Sequence, residues 1–70
     1  MNNYKVRLND ETTLYLGKSR QRAVEVQDIV RNTLIRSNGT GTVTLIENHT
    51  VISRQRVENG SWNAGFVVAA

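Results

Sequence analysis

The chain contains no cysteine and a single histidine, His49. That composition removes disulfide frameworks, thiolate zinc sites and thiol nucleophiles together, and leaves too few ligands for a metal site built by the protein itself. Only four of the 27 hydrophobic residues are aromatic, so Val, Leu and Ile must supply most of the core. No apolar run reaches the length of a membrane span, and Met1-Asn2-Asn3-Tyr4-Lys5 lacks the hydrophobic stretch of a signal peptide. The expectation is a soluble, cytoplasmic protein with no membrane partner. Three Asn-x-Ser/Thr triplets, beginning at Asn38, Asn48 and Asn59, then read as turns rather than glycosylation acceptors.

Seventy residues suffice for one small domain, spanning 1–70, with one core. A chain of this size sits close to thermodynamic balance and often gains stability from a partner, so a homodimer enters as one reading. Nine Lys and Arg against six Asp and Glu give a net charge of +3, and seven of the nine cations are arginine. Arginine's planar fork pairs bidentately with phosphate or carboxylate, which points to a contact surface for nucleic acid or an acidic protein.

Tyr4-Lys5-Val6-Arg7-Leu8 alternates apolar and charged residues, the period of a strand with one buried face. After Asn9-Asp10-Glu11, the run Thr12–Leu16 repeats the alternation. Leu14 and Leu16 are expected in the core and Tyr15 outside. Ser19 is placed to cap a helix running to about Arg36. On that helix Ala23, Val26, Ile29, Val30, Thr33 and Leu34 share an arc of about 140°. Val24 and Ile35 fall outside the arc, as tolerated exposed residues or as partner contacts.

Ser37–Gly41 stops the helix, Thr42–Glu47 is a third strand, and Asn48-His49 turns the chain into a fourth, Val51–Glu58. Asn59-Gly60 between alternating runs is the signature of a two-residue type I′ hairpin. It pairs Val57 with Trp62, Gln55 with Ala64, Ser53 with Phe66 and Val51 with Val68, with Val51 on the inward face. A strict two-residue Asn48-His49 turn would carry Arg54 and Arg56 onto the core face, so a three-residue loop or a bulge is required. The expected fold is α+β, an antiparallel sheet in ββαβββ order with one helix packed on one face. The short connections leave the strand order across the helix open.

No catalytic constellation emerges, and the chain reads as a non-enzyme without cofactor or metal. Gly17-Lys18-Ser19 follows a strand and precedes a helix, but the earlier glycine of a phosphate loop is missing. Two basic groups stand out instead. Lys18, Arg20 and Arg22 lie at the helix amino terminus, where the macrodipole disfavours cations, so an anion could use both the side chains and the free amides. The sheet face away from the helix collects Lys5, Arg7, Tyr15, Ile46, Ile52, Arg54 and Arg56, together with Thr13, Thr42, Thr44 and Asn63. Arginines beside a tyrosine suit a nucleic-acid backbone with base stacking, whereas Tyr15, Ile46 and Ile52 beside arginine equally suit a protein interface.

The run Thr13-Leu14-Tyr15-Leu16-Gly17-Lys18-Ser19-Arg20-Gln21-Arg22-Ala23, from strand through serine cap into helix, resembles small phage-encoded β/α proteins, anti-CRISPR proteins among them. Some of these have a similar order of strand, helix and tryptophan-bearing hairpin, corresponding here to Gly41 through Trp62. The resemblance rests on layout and implies inhibition of a larger nucleoprotein machine by occupying a nucleic-acid or subunit surface. The expected function is therefore a binding protein whose arginine surface contacts nucleic acid or a nucleoprotein complex. The alternatives are a phage-type inhibitor that binds protein alone and a structural homodimer.

Overall fold

Three pairs of left-handed residues fold the strands back on one another: Asn9-Asp10 (φ 54° and 56°), Asn48-His49 (47° and 75°) and Asn59-Gly60 (49° and 79°). Positive φ at both central residues is the requirement of a type I′ turn, whose twist matches that of the flanking strands. Asn and Asp tolerate this region better than other side chains, and only Gly60 avoids its steric cost altogether. A computed structural model describes the backbone of residues 2–66 and the side chains of residues 2–62.

The elements follow the expected order: β1 (Tyr4–Leu8), β2 (Thr12–Gly17), α1 (Arg20–Arg36), β3 (Gly41–Glu47), β4 (Thr50–Glu58) and β5 (Ser61–Phe66). They form one antiparallel five-stranded sheet in the order β2-β1-β3-β4-β5. The crossover through α1 thus carries β3 past β2 to the far side of β1, which settles the order that the connections left open. At its start α1 is capped by Ser19 Oγ, which accepts from the Arg22 amide at 3.1 Å. At its end Asn38 takes a φ of 54° and the Gly39 amide donates to the Leu34 carbonyl at 2.8 Å. No helix of the described residues is long and apolar enough to cross a membrane.

The core lies between α1 and one face of the sheet, built from Tyr4, Val6, Ala23, Val43, Leu45 and Ile52, with Leu8, Tyr15, Val26, Val30 and Leu34 packed around it. The helix is rotated from the expected arc. Ile29 is 61% exposed and Thr33 is exposed, whereas Gln27 is buried. The reason is polar: Gln27 Nε2 donates to the Val43 carbonyl at 3.2 Å and to Ser53 Oγ at 3.3 Å. A buried amide with partners is tolerated, and these bonds tie the middle of α1 to two central strands. Arg31, on the same side, lies 4.3 Å over the Trp62 ring and donates to Asp28 and Gln55.

Two bulges redistribute the side chains of β2 and β4. On β2, Tyr15 pairs with Val6 but Thr13 with Arg7, which leaves Leu14 as the extra residue. One extra residue reverses the alternation beyond it. Tyr15 therefore packs on the core, and Leu14 and Leu16 are exposed, the opposite of the expected placement. The Tyr15 hydroxyl also accepts from the Ser19 amide at the entrance to α1.

On β4 the Asn48-His49 turn has two residues, since Glu47 pairs with Thr50, and the correction comes from a bulge at Ile52. Ile52 enters the core rather than the open face, and Val51 sits opposite Ile46 on the open face rather than inward. The last hairpin keeps Val57 opposite Trp62, but its register shifts so that Phe66 pairs with Arg54 instead of Ser53. The expected Val51–Val68 pair lies outside the described residues.

Candidate anion and nucleic-acid interface

With α1 covering one side, the opposite side of the sheet is free of any other element among the described residues. Period-two alternation in register across β1, β3 and β4 sorts its side chains into transverse rows. One row holds Leu16, Lys5, Ile46 and Val51; the next holds Thr13, Arg7, Thr44 and Arg54; the third holds Thr42 and Arg56. Lys5, Arg7, Ile46, Arg54 and Arg56 are thus brought together on one face, by the alternation and, for the two β4 arginines, by the bulge at Ile52. Tyr15 and Ile52 are not, because each bulge turns them toward the helix.

The central row has unusual chemistry. Thr44 is fully buried between its two arginine neighbours. Three polar atoms of this row, Arg7 Nε, Thr44 Oγ1 and Arg54 Nε, are buried without a hydrogen-bond partner among the described residues. An unpaired buried polar group costs about 1 to 3 kcal/mol, so three in adjacent positions mark a place built for something other than stability. The outer nitrogens are held weakly: Arg7 Nη2 donates to the Glu11 carbonyl at 3.4 Å, and Arg54 Nη2 stands 4.0 Å from Asp10 Oδ1. With side chains 40% and 63% exposed, the Arg54–Asp10 pair is a screened surface contact of little energetic weight. Arg56 differs, since its Nε donates to Glu58 at 2.9 Å and its Nη1 to Thr42 Oγ1 at 3.2 Å.

Two guanidinium groups flanking a hydroxyl form a donor set for an oxyanion. Two phosphate oxygens accept in parallel from Nε–H and Nη–H of one guanidinium, and the hydroxyl rotates to donate a further bond. Since the Nε atoms and the hydroxyl are covered in the free chain, the guanidinium groups must swing outward to make these bonds. Beside this row, at the Asn48-His49 end of the sheet, lies a groove of about 160 Å³ lined by Lys5, Leu16, Ile46, Asn48 and His49 among others. Leu16 and Ile46 give it apolar lining, and Lys5, Asn48 and His49 polar groups.

The basic group at the helix start stands apart from this face. Lys18, Arg20 and Arg22 are all exposed, on the helix side of the sheet. Arg22 Nη1 reaches Glu25 Oε2 at 3.3 Å, and two amides of the helix start are taken, that of Arg22 by Ser19 Oγ and that of Ser19 by the Tyr15 hydroxyl. Among the described residues no group of three or more His, Cys, Asp or Glu side chains is placed to hold a metal ion. Comparison of the chain with family models, with characterised proteins and with solved structures gave no match.

Period-two placement already assigns Thr44 to the open face, but the sequence does not distinguish it from Thr42. The difference lies in burial and bonding: Thr42 receives a bond from Arg56, while Thr44 is covered and unpaired. Nothing in the sequence marks Gln27, because a glutamine on a helix carries no signal of burial until its partners, the Val43 carbonyl and Ser53, are in place.

Proposed function

We propose that this chain is a non-enzymatic binding module that contacts the phosphate backbone of a nucleic acid, free or within a nucleoprotein complex, through the open face of its sheet. The observation that carries this reading is the Arg7–Thr44–Arg54 row with its three unpaired buried polar atoms. Lys5 and Arg56 on the adjacent rows extend the positive charge along the face. Such a face binds polyanions through counterion release, so affinity falls steeply with salt.

The test is a salt titration of DNA and RNA binding on the native chain and on the double variant Arg7→Ala/Arg54→Ala. Loss of two phosphate contacts lowers the logarithmic salt slope by about 1.4 on a single strand. The corresponding pair at Arg20 and Arg22 leaves the slope largely intact. An unchanged slope in the Arg7/Arg54 variant defeats the assignment.

A second reading, an inhibitor of the anti-CRISPR type that engages protein alone, is favoured by Leu16, which is 69% exposed beside Lys5 and Ile46. Salt-independent, negligible nucleic-acid binding together with a protein complex sensitive to Leu16→Glu would select it.

A further inference from the structure

The groove at the Asn48-His49 end of the open face is lined by two apolar side chains, Leu16 and Ile46, that phosphate binding does not use. Leu16, at the edge-strand end of its row, is 69% exposed, and Lys5 lies between it and Ile46. We infer that this groove receives an unpaired base of a single nucleic-acid strand, whose phosphates lie along the neighbouring arginine row. This inference rests on the proposed phosphate contacts and adds strand selectivity to them.

Three observations support it. The first is width: five strands at about 4.8 Å spacing make a face about 19 Å across, against a duplex major groove of about 12 Å. The face therefore cannot enter that groove to reach base edges, and a duplex would meet it only through phosphates. A single strand lies across it without this restriction. The second is spacing along β1, where Lys5 and Arg7 are two residues, about 6.8 Å, apart on the same face. That is the scale separating a nucleotide's base from the phosphates beside it. The third is chemistry: Leu16 and Ile46, on either side of the Lys5 stem, offer apolar surface to the flat face of a base, while the Lys5 ammonium, Asn48 and His49 offer hydrogen-bonding groups to its edge.

The decisive experiment compares three probes by fluorescence anisotropy at fixed salt: a single strand of about twelve nucleotides, the matching duplex, and an abasic strand carrying the same phosphates. The native chain binds the single strand on the order of tenfold more tightly than the duplex or the abasic strand. Leu16→Glu abolishes that preference, and the high exposure of Leu16 keeps the variant folded. Ile46→Ala reduces the preference through the other wall of the groove.

Equal, salt-sensitive binding of all three probes overturns the base site and leaves the phosphate reading standing. Absence of salt-sensitive binding to any probe overturns both. A preference that survives both variants, with folding verified by circular dichroism, places the base elsewhere and refutes the groove assignment.

Discussion

Replacing Thr44 by Val is expected to make the free protein more stable and its binding weaker. The substitution keeps the β-branched shape that suits a central strand and exchanges the buried hydroxyl for a methyl group. Thr44 is fully buried and its Oγ1 is unpaired, so the native chain bears the desolvation cost of that group without compensation. The cost is about 1 to 3 kcal/mol. In a domain of this size each kcal/mol moves the melting midpoint by about 4 to 8 °C. Thr44→Val therefore raises Tm by at least about 4 °C in a buffer free of phosphate and sulfate, since an anion bound to the native state would itself stabilise it. Affinity for a single strand falls at the same time by about two- to tenfold, the worth of one hydroxyl bond to the ligand. Thermal denaturation by circular dichroism reads the first quantity and anisotropy the second. A lower Tm in the variant would mean that the hydroxyl is already satisfied in the free protein, and the argument from unpaired atoms would fall with it.

Other substitutions separate the face from the scaffold. Asp10→Asn removes the carboxylate that stands 4.0 Å from Arg54, so nucleic-acid affinity rises a few-fold while stability, read by urea denaturation, stays within about 0.5 kcal/mol. Gln27→Ala deletes the amide that bonds Val43 and Ser53 and costs about 2 to 3 kcal/mol in the same assay, without altering the salt slope of a chain that remains folded. Gly60→Ala puts a Cβ 2.7 Å from Asn38 Oδ1 and 3.0 Å from the Asn38 backbone at a φ of +79°, and lowers stability by more than about 1 kcal/mol.

What could be read in advance follows from how locally each feature is determined. The capped helix from Ser19, the Asn59-Gly60 hairpin and the alternation of Lys5 and Arg7 against Val6 depend on neighbours within a few residues. Such signals survive without knowledge of the rest of the chain. The errors cluster at the two bulges. Leu14, Leu16 and Tyr15 obey strict alternation in sequence, yet one extra residue in the β1–β2 register exchanges their faces. Two gains accompany this exchange: the ring of Tyr15 packs on the core, and its hydroxyl meets the Ser19 amide. The helix departs from its apolar arc for a related reason, since the arc favours Ile29, whereas the carbonyl of Val43 and the side chain of Ser53 draw Gln27 inward.

By itself the sequence determined the order of elements, the left-handed turn positions and the shared face of Lys5 and Arg7, because period, caps and turn residues act over short range; Arg54 and Arg56 join that face only through the bulge at Ile52. Only the tertiary structure decided that β3 lies beside β1, that Tyr15 and Ile52 leave the open face, and that Thr44 is enclosed between two arginines with no partner. Register between strands distant in the chain fixes all three, and it is set by the summed packing of both sheet faces rather than by any single segment.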